Sequence, residues 1–87
     1  MGFDWDDAKD LEVQEKHGVS FQEIRTLIER GGLLKVVLNR SLQYSGQKVL
    51  LVRKGKAVFM VPFELRGETR WLITAFYSAY YTKKYSR

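Results

Sequence analysis

The spacing of apolar residues along the chain changes at a pair of glycines, Gly31 and Gly32. Before them, apolar residues recur every three or four positions, which is the repeat of an α-helix with one buried face. After them come short runs of branched and aromatic residues separated by turn residues, which are typical of β-strands. The pattern predicts an α+β domain with its helices first and its sheet second.

Two helices are predicted in the first 30 residues. The first should begin near Asp4 or Asp6, because acidic side chains suit the free amides at a helix N-terminus. It should end at Gly18, since glycine readily adopts the left-handed conformation that follows many helices. Its expected apolar face has three members: Trp5, Ala8 and Leu11.

The second helix has a clearer start. Ser20 is followed three residues later by Glu23, which is the spacing of a capping box. The helix should continue to Gly31-Gly32. Its expected apolar face consists of Phe21, Ile24 and Ile28.

Four strands are predicted next, from the runs LLKVVLN at 33–39, KVLLVR at 48–53, AVFMVPF at 57–63 and WLITAF at 71–76. Two short links, Lys54-Gly55 and Arg66-Gly67-Glu68, predict hairpins and therefore antiparallel pairing. Pro62 has no N–H to donate, so it should mark a strand edge or a bulge. A short helix over 77–85 follows. The prediction is one domain over residues 1–87, with a four-stranded antiparallel sheet and helices on one face.

Composition and charge indicate the compartment of the protein and the kind of partner it binds. The chain has no cysteine and no run of apolar residues long enough to span a bilayer, so a cytoplasmic protein is predicted. Residues 1–30 carry eight acidic and four basic side chains, a net charge of −4, whereas residues 31–87 carry two acidic and eleven basic ones, a net charge of +9. The basic part favours a polyanion or an acidic protein as partner. A solvated basic surface is the alternative.

The candidate chemistry needs neither metal nor cofactor. One histidine and scattered carboxylates give no zinc spacing, and no phosphate-binding loop or dinucleotide fingerprint is present. RNA cleavage by its own 2′-hydroxyl requires only a base, an acid and cations near the phosphate. His17 is the only histidine, and histidine is the side chain that ordinarily titrates near neutrality. A helix-capping role for His17 is the alternative.

The C-terminal segment combines tyrosines with cations. On a helix, the tyrosines would share one face, which predicts either a packing face or a surface for stacking bases. Tyr77 and Lys84 are candidate RNA-binding residues, as are Arg53 and Arg70 at the ends of predicted strands.

Two segments carry a family resemblance. FDWDDAK at 3–9 and EKHGVSFQEI at 15–24 resemble the F-x-W-D-x-x-K and K-H-G-V-S-F motifs of the BrnT family of bacterial toxins. The later GQKVLLV, VPF and TKKY segments are similar to a subgroup of these toxins. The resemblance implies a RelE-like α+β fold and a metal-independent endoribonuclease that inhibits translation by cutting RNA, messenger RNA in particular. It also implies a cognate antitoxin and allows a toxin homodimer within their complex.

The resemblance assigns catalytic positions at both ends of the chain. Lys16 and His17 match the N-terminal motif, and Lys83 and Lys84 match the basic tail. Where the family pattern has arginine before this tail, the chain has Ala79. An arginine can hold a phosphate through two hydrogen bonds and alanine cannot, so this form is expected to be inactivated there. Loss of activity in the natural protein and replacement of a natural arginine both remain open, and the alternative function is a non-catalytic basic module that binds RNA or protein.

Overall fold

The computed structural model describes residues 2–38 and 47–86. In these residues the helices are α1 (Asp7–His17), α2 (Phe21–Glu29) and α3 (Ala79–Lys84). The strands are β1 (Gly2–Trp5), β2 (Leu33–Leu38), β3 (Lys48–Lys54), β4 (Ala57–Arg66), β5 (Thr69–Leu72) and β6 (Phe76–Tyr77). The α+β class is therefore confirmed. Asn39, the last residue of the first predicted strand, lies outside the described residues.

The sheet is mixed, so the prediction of four antiparallel strands is wrong. Its order is β1-β5-β4-β3-β2, with β6 also paired to β4. The β1–β5 pair is parallel, and the other pairs are antiparallel. In strand β1, half-buried and exposed residues alternate. Phe3 and Trp5 are half-buried and pack on the core, whereas Gly2 and Asp4 are exposed. This alternation over four residues is the minimum that indicates a strand, and the acidic Asp4 also suits the start of a helix.

Helix α1 begins and ends where local chemistry predicts. The Asp6 carboxylate accepts a hydrogen bond of 2.9 Å from the Ala8 N–H, and Gly18 ends the helix with a φ of 68°. The predicted apolar face is wrong, however. Trp5 belongs to β1, Ala8 and Leu11 are exposed, and the buried residue of α1 is Val13.

Helix α2 begins at the predicted cap. Ser20 Oγ accepts a hydrogen bond of 3.0 Å from the Glu23 N–H, while the Glu23 carboxylate lies 3.0 Å from Lys54 Nζ and ties the helix to β3. After α2 the chain must pass very close to other backbone. A Cβ on Gly32 would lie 2.8 Å from the Leu27 carbonyl oxygen, so only glycine fits this approach.

Both faces of the sheet are buried. Leu50 and Val52 of β3 belong to the cluster that contains Phe21 and Ile24 of α2. Val49 and Leu51 belong to a second cluster, which also includes Val58 and receives Tyr81 and Tyr85 from the C-terminal segment. Successive residues of a strand point to opposite faces, so α3 covers the face opposite α1 and α2. The prediction that helices cover one face is wrong.

Pro62 lies at an irregularity, as predicted. Its carbonyl accepts a hydrogen bond of 2.9 Å from the Ile73 N–H, where β5 ends. The β4–β5 register pairs Phe63 with Leu72, whereas the β4–β6 register pairs Met60 with Phe76. Met60 and Phe63 are three residues apart on β4, whereas their partners Leu72 and Phe76 are four residues apart. This extra residue is a bulge, and it divides the fourth predicted strand into β5 and β6.

Candidate functional site

His17 is the exposed last residue of α1, and tertiary packing places it beside β6. Its ring centroid lies 6.4 Å from that of Phe76. Ala79 follows Phe76 by three residues, a length of chain that spans at most about 11 Å. The structure thus brings the histidine of the N-terminal motif to the segment that carries the position of the family arginine.

The end of α1 does not depend on the imidazole. Gly18 provides the left-handed residue, and its N–H donates to the Gln14 carbonyl oxygen over 3.1 Å. This backbone arrangement closes the helix with glycine alone. The contact with Phe76 therefore distinguishes His17 from an ordinary residue at a helix end.

Lys16 points into a network of charges on the surface of α1. Its Nζ lies 3.6 Å from a Glu12 carboxylate oxygen, which also lies 2.8 Å from Lys9 Nζ. The hydrogen bond from Lys9, followed by the charge of Lys16, lowers the pKa of Glu12. Exposed pairs of this kind add little to stability, so Lys16 remains available to bind an anion.

Ala79 is the first residue of α3 and is exposed. The preceding Ser78 caps the helix by accepting a hydrogen bond of 3.1 Å from the Tyr81 N–H. An arginine at position 79 would extend from the surface without displacing the core. An arginine at this position is therefore compatible with the fold.

The two lysines of the tail, Lys83 as a catalytic candidate and Lys84 as an RNA-binding candidate, belong to α3. Lys83 and Lys84 lie in the last turn of α3, which covers the second face of the sheet, and both are exposed. Lys84 Nζ lies 5.9 Å from the ring centroids of both Tyr80 and Tyr81.

The tyrosines do not form the single helical face predicted from their spacing. Tyr77 belongs to β6, and its ring packs edge-on against Phe59 of the first cluster with 6.2 Å between centroids. Tyr80 is 67% exposed, whereas Tyr81 and Tyr85 pack on the second cluster. Tyr77 and Tyr80 therefore keep accessible rings, and Tyr81 and Tyr85 are packing residues.

The two predicted RNA-binding arginines are engaged within the domain. Arg53 Nη2 donates a hydrogen bond of 3.0 Å to the Tyr85 carbonyl oxygen, at the end of α3. The guanidinium carbon of Arg70 lies 5.7 Å from the Phe3 ring centroid and 5.9 Å from that of Phe63. These contacts give both arginines a role in packing, whatever else they bind.

Sequence analysis missed a groove between strand β2 and helix α3. The β2–α3 groove has a volume of about 550 Å³ and is lined by residues 35–38, Met60, Tyr80 and Tyr81. It exists because α3 packs on the second face of the sheet beside β2, a placement that depends on tertiary structure. The one signal in the sequence is the uninterrupted apolar run of residues 36–38 at the end of β2.

No protein-family model, curated protein or solved structure matches this chain. The BrnT resemblance therefore remains a prediction that depends on the two N-terminal motifs. Within residues 2–38 and 47–86, no helix has the length and apolar character needed to cross a membrane.

Proposed function

We propose that this chain is the toxin of a bacterial toxin–antitoxin pair, a BrnT-like, metal-independent endoribonuclease that cleaves RNA, messenger RNA in particular, and so inhibits translation. The observation that carries the proposal is the contact of His17 with Phe76, three residues before Ala79. It supports a site at one edge of the domain that combines a proton-transferring imidazole with a phosphate-binding residue at position 79. In the form with Ala79, that site lacks its main cation.

The reaction assigns a distinct task to each residue. The 2′-hydroxyl of RNA loses its proton to a base and its oxygen attacks the phosphorus, while the bond to the 5′ oxygen breaks and that oxygen gains a proton. His17 carries out one of these two proton transfers and solvent water the other, and an arginine at position 79 would stabilise the charge that develops on the phosphate. The exposed Lys16 and Lys83 add positive potential that attracts the RNA.

The test is to replace Ala79 with arginine. We expect Ala79→Arg to raise cleavage of an RNA oligonucleotide by on the order of 10²-fold, the effect typical of one group that stabilises transition-state charge. Ala79→Gln is the matched control, because it adds length without charge. EDTA should leave the activity unchanged, and expression without an antitoxin should arrest growth. Absence of both cleavage and growth arrest with Ala79→Arg would contradict the proposal.

A second prediction concerns Lys83. In the Ala79→Arg chain, Lys83→Ala should lower cleavage several-fold at low salt, and the difference should shrink as salt rises, because the lysine acts through long-range attraction. Arg25→Ala removes an exposed cation of α2 and is the control. An effect of Lys83→Ala that is the same at all salt concentrations would instead indicate a direct contact with the reacting phosphate.

A non-catalytic module that binds RNA or protein is the second candidate. It is favoured by the exposed methyl group of Ala79 and by the position of Lys83 and Lys84 on the face opposite α1. This function predicts that Ala79→Arg binds RNA without cleaving it. Gel-shift and cleavage assays on the same oligonucleotide separate the two functions.

A further inference from the structure

The β2–α3 groove has an apolar floor. Val37, Met60 and Tyr81 line it, and all three pack against the second core cluster. On β2, the exposed Val36 and the 64% exposed Leu38 alternate with Lys35 and Val37, so their side chains lie on the other side of the strand. Apolar side chains that continue from the core to the rim of an open groove are typical of a surface that binds another protein.

The strand beside the groove has an edge that can accept another strand. Among the residues the structure describes, β2 is the outermost strand at one end of the sheet and pairs with β3 alone. The second edge of such a strand carries backbone N–H and C=O groups that can pair with an extended peptide. The groove and the edge together fit a partner in an extended conformation.

The charges around the groove select the composition of that partner. Lys35 of β2 is exposed and lines one wall. Lys84 Nζ lies 5.9 Å from the ring centroids of Tyr80 and Tyr81, which line the opposite wall. Cations on both walls favour acidic residues between them. A second copy of this chain would bring Lys35 against the same basic half of the protein, with its net charge of +9, and is disfavoured.

We propose that the β2–α3 groove binds an extended, acidic segment of a partner protein, which pairs with the edge of β2. The apolar side chains of the segment share one side of it and contact Val36 and Leu38, and its carboxylates share the other side, where they face the groove and pair with Lys35. RNA fits the cations but not the apolar floor or the strand edge. The inference rests on the proposed function only in naming an antitoxin as the source of the segment, because binding itself requires no cleavage of RNA.

A synthetic peptide tests the proposal directly. The probe is a nine-residue peptide in which glutamate alternates with valine, added to the ¹⁵N-labelled protein and followed by NMR. We expect the largest shifts at the amides of Leu33–Leu38 and of Tyr80. A peptide with lysine in place of glutamate should not bind, and rising salt should weaken the binding of the acidic peptide.

Charge reversal on the groove wall provides the matched pair of variants. Lys35→Glu should weaken binding of the acidic peptide by on the order of tenfold at low salt. Lys56→Glu makes the same change in net charge at the exposed turn between β3 and β4, outside the groove, and should change binding less than about twofold. Both positions are exposed, so both variants should unfold at the same temperature as the parent protein.

Three results would overturn the proposal. They are the absence of shifts in β2, displacement of the peptide by an oligouridylate RNA that shifts the same residues, and dimerisation of the free protein through β2. Failure here is distinct from failure of the proposed ribonuclease. If the Ala79→Arg chain cleaves RNA but does not bind the peptide, only the proposed binding at the groove is wrong. If it binds the peptide but does not cleave RNA, only the proposed ribonuclease activity is wrong.

Discussion

Replacing His17 with alanine in the Ala79→Arg chain should lower RNA cleavage by on the order of 10²–10⁴-fold, because a positioned acid or base contributes about that much to the rate. The imidazole lies against Phe76 at the edge where the phosphate-binding residue would stand. Single-turnover cleavage of an RNA oligonucleotide measures the loss. Added imidazole should restore part of the rate, which a purely structural role of His17 would not allow.

Thermal unfolding is the control for this experiment. His17 is exposed and Gly18 closes α1, so His17→Ala should melt at the temperature of its parent. Glu15→Ala, an exposed change two residues earlier on the same helix, should leave both activity and stability unchanged. If activity falls only as far as stability falls, the histidine is structural and its catalytic assignment is wrong.

Replacing Phe21 with alanine should lower the free energy of unfolding by about 3–5 kcal/mol, the usual cost of removing a fully buried phenylalanine. Phe21 is 0% exposed, and its ring centroid lies 5.8 Å from that of Trp5. Its N–H donates a hydrogen bond of 2.8 Å to an Asp10 carboxylate oxygen. One residue of α2 therefore contacts both β1 and α1, and Phe21→Ala removes the ring contact with β1 while the backbone hydrogen bond to α1 is kept.

Urea unfolding followed by circular dichroism measures this change. Gln22→Ala is the control, because it alters the exposed neighbour of Phe21 in the same helix and should change stability by less than about 0.5 kcal/mol. Small domains are stabilised by only about 5–15 kcal/mol, so Phe21→Ala should remove a substantial part of the total. A loss below about 1 kcal/mol would show that the cluster repacks around the missing ring.

Local chemistry made the ends of the helices predictable, and long-range pairing made the sheet unpredictable. Asp6, Gly18 and Ser20 satisfy backbone groups within a few residues of themselves, so their types alone locate α1 and α2. The parallel pairing of β1 with Thr69–Leu72 of β5 joins segments more than 60 residues apart. No local pattern specifies such a pair, and Trp5 fits a helix face as well as a strand.

The same distinction applies to the candidate site. The motif drew attention to His17, but its contact with Phe76 depends on how α1 packs against β6. The prediction that the tyrosines share one helix face is wrong because the predicted helix began at Tyr77, two residues before α3 begins at Ala79. Ser78 is a good N-cap residue, and reading it as one would have left Tyr77 outside α3.

The parallel pairing of β1 with β5 also governs when the protein can fold during its own synthesis. The first strand has no described partner until Thr69–Leu72 emerge from the ribosome, and His17 has no contact with β6 until Phe76 does. A sheet that joins segments more than 60 residues apart closes late, because a long loop must be ordered first. The proposed catalytic edge therefore cannot assemble until both Thr69–Leu72 and Phe76 have left the ribosome.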